Sequence, residues 1–158
     1  MRSIVYYYTH LQLPFADAAA LLSADPAAWL PAPAEPAGAD WIVTLHADGA
    51  APQPLAAHQA RVHVGPATMA ESTLRRDIAW RSGSANADRL VPMLEADVEL
   101  ASLNGCGCQL SLMGSYRPPL SVVGAAGDRL LGHRIAEACV RRFVLELAQR
   151  LEPAMLHA

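Results

Sequence analysis

The stretch Leu131–Leu151, LGHRIAEACVRRFVLELAQRL, decides the fold. Its apolar residues Leu131, Ile135, Cys139, Phe143, Leu147 and Leu151 recur every fourth position. Such a repeat drifts slowly around a 3.6-residue helix, and Ala136, Val140 and Val144 widen the stripe to follow the drift. The other face carries Arg134, Glu137, Arg141, Arg142, Glu146 and Arg150. Glu137 with Arg141, and Glu146 with Arg150, are i,i+4 pairs in the favourable order. Val123 and Gly127 extend the series upstream, and no proline interrupts it between Pro119 and Pro153. About thirty residues at ~1.5 Å each predict a helix of roughly 45 Å. One strand cannot cover that length, so the helix must lie along a whole sheet.

The rest of the chain supplies such a sheet. Strands are predicted over Ser3–Leu11, Trp41–His46, Gln59–Val64, Thr73–Arg81, Leu90–Ala101 and Gly107–Tyr116. β-Branched and aromatic residues fill them, and glycine or proline bounds them. Leu74, Arg76, Ile78 and Trp80 share one face of the fourth strand. In the fifth, Leu94, Ala96, Val98 and Leu100 oppose Glu95, Asp97 and Glu99. That alternation describes an antiparallel strand with one wet face. Asn104-Gly105 is a hairpin signal. The sixth strand returns Cys108, Leu110 and Leu112 to the apolar face. Phe15–Leu22 reads as a short helix, and Asp25-Pro26 opens a second helical turn that buries Trp29 and Leu30. Pro31, Pro33 and Pro36 mark a loop up to Ala39. The fold class is therefore α+β, with residues 1–158 forming a single domain.

Composition sets further bounds. The 158 residues are 53% hydrophobic and 17% charged, a globular balance with apolar residues to spare for a pocket. The net charge is -3, and all twelve basic residues are arginine, so no basic surface for nucleic acid is expected. The absence of lysine and the abundance of alanine suggest a GC-rich, bacterial coding genome. No uncharged apolar run reaches the ~20 residues of a membrane span. The N-terminal run enters a strand directly and lacks a cleavage signal, which makes the expected location cytoplasmic. Three cysteines argue against a disulfide framework.

The order of strand, two short helices, antiparallel strands and one long helix is that of a helix-grip. The chain also resembles the START/polyketide-cyclase-like (SRPBCC) superfamily, in particular its small bacterial members. The resemblance is carried by Leu90–Leu100, Gly114–Leu120, His133–Glu137 and Asp25–Pro31. It implies a hydrophobic small-molecule ligand, lipid- or polyketide-like, held between sheet and C-terminal helix. A second implied reading is a polyketide cyclase or dehydratase acting in the same cavity. A third is an oligomeric or interaction scaffold, such as a homodimer, with a vestigial pocket. The superfamily's sheet usually has seven strands where six are marked here. Either Thr68–Thr73 pairs as an extra strand or the sheet is trimmed.

The expected cavity lining is Arg76, Trp80, Leu94, Val98, Leu110, Leu112, Tyr116, Val123, Gly127, Leu131 and Ile135. Arg76 lies between Leu74 and Ile78, where it either receives a ligand carboxylate or enolate or snorkels out of the sheet. Trp80 either stacks on a ligand or fills the core. Tyr116 and Arg117 either polarise a carbonyl at the pocket mouth or fix the turn before Pro118-Pro119. His133 and Glu137, one helical turn apart, read as a general base with its orienting carboxylate or as a surface pair. His46, His58 and His63 are irregularly spaced, and His46 is a further acid–base candidate for the enzyme reading. Cys106-Gly107-Cys108 has the wrong spacing for zinc and no second pair, so no metal site is expected. Cys139 reads as a small buried hydrophobe. Gly124–Gly127 lacks the dinucleotide spacing, and no cofactor is expected.

Overall fold

The structure, a computed structural model, describes residues 3–46, 57–83, 93–103, 107–117 and 128–152. The strand β1 (Ser3–Leu11) is followed by the helix α1 (Phe15–Ser23) and a 3-10 turn over Pro26–Ala28. Next come β2 (Glu35–Ala37), β3 (Asp40–His46), β4 (Ala57–Ala70) and β5 (Thr73–Ser82). The strands β6 (Met93–Leu103) and β7 (Gly107–Arg117) precede the last helix, α2 (Asp128–Leu151). The strands form one seven-stranded sheet in the order β1-β7-β6-β5-β4-β3-β2. Every pairing is antiparallel. This is a helix-grip arrangement: an antiparallel sheet laid against a long C-terminal helix.

Two expectations are corrected. The seventh strand is Glu35–Ala37, inside the proline-rich stretch read as a loop. It lies at the end of the sheet and pairs only with β3, so Pro36 occupies an edge strand, where a missing N–H is tolerated. The turn Gly38-Ala39 returns the chain to β3, and Gly38 takes φ 65, open to glycine without strain. The segment Thr68–Thr73 forms no extra strand. Instead β4 continues past Gly65-Pro66 to Ala70, with a register shift between Val64 and Ala67. Such a bulge accommodates a proline that would interrupt a regular ladder.

The core lies between the inner face of the sheet and α2. Leu74, Ile78, Trp80, Val98, Leu100, Leu110 and Leu112 are buried there. Across from them, Ile135, Cys139, Phe143, Leu147 and Leu151 are buried on one stripe of α2, at the four-residue spacing of the sequence. Trp80 and Phe143 meet with ring centroids 5.0 Å apart. Trp29 and Leu30 are fully buried beside α1, as expected. The helix spans 24 described residues, about 36 Å at 1.5 Å per residue. Val123 and Gly127, the upstream continuation of the stripe, lie outside the described residues, as does the side chain of Leu131.

On the outer face of the sheet, Asp77 of β5 stands opposite Asp97 of β6. Burial, and then the Asp77 carboxyl, hold the Asp97 pKa above the usual carboxylate value. A raised folded pKa means the folded chain retains a proton that the unfolded chain releases. Stability from this group is then complete at low pH and falls as pH rises from the ordinary carboxylate value through the raised one. Asp97→Asn should therefore raise the melting temperature at neutral pH, by up to about 1 kcal/mol in stability. It should also flatten the decline above pH 4, and melting curves from pH 3 to pH 8 would show both.

Candidate functional site

The strand β7 delivers Tyr116 to the inner face, and its side chain is almost wholly buried. The Tyr116 hydroxyl is hydrogen-bonded to His133 Nδ1 on α2. On the other side of the ring, His133 Nε2 lies 2.7 Å from Glu137 Oε1. A spacing of four residues places His133 and Glu137 on one face of the helix, and the strand end brings the phenol to the same place. The result is a continuous chain, phenol to imidazole to carboxylate. It runs from a buried end at Tyr116 to a Glu137 side chain that is 57% exposed.

The chain has a consistent proton assignment. Glu137 accepts from His133 Nε2–H, which leaves Nδ1 of a neutral ring to accept from the phenol. Burial pushes the Tyr116 pKa above the ordinary phenol value, opposed by a hydrogen bond with Ser3 and reinforced by the Glu137 charge. Tyr116 therefore stays protonated at neutral pH, as a donor. Chemically, an imidazole protonated from the surface can donate from Nδ1 to the phenol oxygen while the phenol gives its own proton to a developing oxyanion.

The sequence marked Tyr116 and the His133/Glu137 pair separately. The structure joins them, through a strand-to-helix contact that no local spacing encodes. It also separates Tyr116 from Arg117. Side chains alternate along a strand, so Arg117 emerges exposed on the outer face while Tyr116 points in.

Tyr116 pairs with Leu94, and Leu94 with Trp80, so these three share one row of the inner face. Among the described residues, the buried Trp80 Nε1 donor has no acceptor. The neighbouring row, Ile78–Ala96–Gly114, presents only a methyl at Ala96 and a hydrogen at Gly114. Val98, Leu110, Leu112 and Ile135, also expected in the lining, are buried on the same inner side.

Arg76 is buried on that face as well, but its donors go to the backbone. Its Nε bonds Gly65 O at 3.0 Å, and its Nη1 bonds Leu22 O at 3.0 Å and Ala24 O at 2.9 Å. The guanidinium also lies over the Trp29 ring, 5.5 Å from its centroid. Burial lowers the Arg76 pKa, with the Asp25 carboxylate opposing the effect. Leu22 and Ala24 mark the end of α1, whose last carbonyls have no partner within the helix. Arg76 supplies that partner and ties α1 to the sheet.

The remaining candidates fall elsewhere. His63 points outward and its Nδ1 lies 2.9 Å from Asp40 Oδ1. His46 ends β3, four strands from β7, and His58 pairs with Leu45 one strand further in, its buried Nε2 without a partner among the described residues. Neither shares the Tyr116 row. Cys108 is buried and its thiol bonds Leu13 O at 3.5 Å; burial pushes its pKa up. Cys139 is buried in the α2 stripe. Cys106 and Gly124–Gly127 lie outside the described residues. Among the described residues no group of three or more His, Cys, Asp or Glu could hold a metal, and no helix is long and apolar enough to cross a membrane.

No family model and no curated protein matches the sequence. Solved structures do share the fold. A conserved protein from Geobacillus kaustophilus superposes with a TM-score of 0.56 at 12% identity, covering 99% of this chain and 96% of that one. Norcoclaurine synthase from Thalictrum flavum gives a TM-score of 0.56 at 9% identity, covering 100% and 88%. The same enzyme in complex with dopamine and hydroxybenzaldehyde gives 0.50 at 9% identity, covering 99% and 88%.

Proposed function

We propose that this chain binds a hydrophobic small molecule, lipid- or polyketide-like, between the inner face of its sheet and α2, as a member of the SRPBCC superfamily. The observation that carries the reading is the Trp80–Leu94–Tyr116 row. An otherwise apolar wall there holds a buried indole N–H without an acceptor, and a buried phenol two strands away. A buried polar group without a partner is costly, and sites for apolar ligands combine such walls with a few placed polar groups. The row beside it carries only small residues at Ala96 and Gly114.

A panel of fatty acids, sterols and aromatic polyketides should raise the melting temperature for one class and shift the tryptophan emission. No stabilisation by any class, with unchanged emission, would defeat the proposal.

The Tyr116–His133–Glu137 chain favours a second reading, an enzyme of the cyclase or dehydratase type working on a ketone in that cavity. A fold neighbour bound to dopamine and hydroxybenzaldehyde adds support, since both are small aromatic compounds. In this reading the imidazole first takes a proton from solvent; its Nδ1–H then passes to the Tyr116 oxygen as the phenol gives its own proton to the ketone oxygen, leaving His133 neutral with Nε2–H held by Glu137. Tyr116→Phe and His133→Asn should then each lower kcat by about 10²-fold or more while the ligand still binds. Equal turnover in the wild type and both variants would remove the catalytic reading and leave the binding one.

A further inference from the structure

The outer face of the sheet carries a separate feature. A cleft of about 320 Å3 opens over the ends of β5, β6 and β7, reaching across β4 to Asp40. That volume is in the range of small-molecule sites. Three guanidiniums border it, those of Arg61, Arg81 and Arg117, against two carboxylates, Asp40 and Glu95. His63 lies beside them.

The arginines are not equivalent. Arg61 Nη1 is held by Asp40 Oδ2 at 3.3 Å and Ala37 O at 3.1 Å. The His63 and Arg61 contacts also hold Asp40 below its usual pKa, so it stays ionised and keeps both in place. Arg81 stands directly opposite Arg61 in the ladder. Like charges facing each other across a strand pair repel, and an anion between them removes that cost. Arg117 lies opposite Met93, which is next in β6 to Leu94, the partner of Trp80 beside Arg81. Among the described residues neither Arg81 nor Arg117 has an ion-pair partner, although Glu95 lies in the same cleft. By strand spacing, Arg81 and Arg117 are rooted about 10 Å apart, with the exposed Met93 side chain on the strand between them.

The geometry points to a binding site for a small organic molecule with two oxyanion groups joined by a short apolar segment. One group bridges Arg61 and Arg81; the other meets Arg117; the segment between them lies over Met93. Carboxylates and phosphates share the needed chemistry, since a guanidinium fork pairs with either. Trp80, Leu94 and Tyr116 also border the cleft, but their buried side chains alternate to the inner face while those of Arg81, Met93 and Arg117 are exposed on the outer one.

Titration calorimetry at low salt, using glutarate, citrate and 1,3-propanediol bisphosphate as probes, tests the site. At least one probe should bind saturably with 1:1 stoichiometry and weaken as salt is added. Preference between the two carboxylates and the bisphosphate separates carboxylate from phosphate ligands. Arg81→Gln and Arg117→Gln should each weaken binding about tenfold or more, by loss of a charge-assisted contact. Arg75→Gln, on the same face but paired with Glu99 at 3.1 Å, should leave it unchanged. The proposal is overturned if no probe binds, if Arg75→Gln weakens binding as much as Arg81→Gln, or if a ligand of the inner cavity displaces the anion competitively. Circular dichroism confirms that each variant is folded, because all three side chains are exposed.

Discussion

Gly114→Ala will leave little folded protein. An added Cβ at this position would lie 2.2 Å from Glu95 O and 2.5 Å from both Cα and Cβ of Ala96. These are backbone atoms and a methyl carbon, so no flexible side chain can swing aside. The strands β6 and β7 would have to part in the middle of their ladder. The expected loss exceeds about 4 kcal/mol, which is most of the stability of an ordinary domain. Gly65→Ala is the control. Its Cβ would meet Asp77 Cβ at 3.2 Å, a contact that small shifts relieve, and a cost of about 1 kcal/mol is expected. Urea unfolding of the two variants gives the comparison. Similar midpoints would show that the close approach of β6 and β7 is not needed for folding.

Arg76→Met comes second in size. It removes the donors that satisfy Gly65 O, Leu22 O and Ala24 O and leaves those carbonyls without their partner. A loss of about 3–5 kcal/mol is expected, because breaking a buried charged network leaves desolvated polar groups behind. Packing is not the cause, since methionine fills much of the same volume. Thermal melts of Arg76→Met and Arg76→Lys measure the loss, and lysine, which keeps the charge without the fork, should recover only part of it. A melting temperature equal to wild type, with ligand binding abolished, would instead make Arg76 a ligand contact.

The sequence conveyed the sheet and the helix because each repeats its signal many times. The α2 stripe recurs through Ile135, Cys139, Phe143, Leu147 and Leu151, and all are buried. The alternation through Leu94, Val98 and Leu100 likewise emerges with those side chains inward. The edge strand Glu35–Ala37 was missed because three residues around Pro36 carry no periodicity, and proline normally argues for a loop. Site chemistry was legible only in fragments. Tyr116, His133 and Glu137 were each marked, but hydrogen bonding between a strand and a helix leaves no local pattern. Strand alternation places Arg76 facing inward, and it does; its three carbonyl partners come from two distant segments that only the fold brings together.

The pairing of β1 with β7 has a consequence for how the molecule assembles. Ser3 lies beside Tyr116, so the first strand in sequence pairs with the seventh, across all the strands between them in the chain. Closing so long a loop is slow, because its entropy must be lost before the contact compensates for it. The hairpins β3–β4, β4–β5 and β6–β7 involve shorter loops and are free to form earlier. Tyr116 therefore reaches its final surroundings only when β1 and β7 meet. The hydrogen bonds through His133 also await α2. The candidate site is thus a late product of folding, and Trp80 and Leu94 are in the chain well before His133 and Glu137 join them.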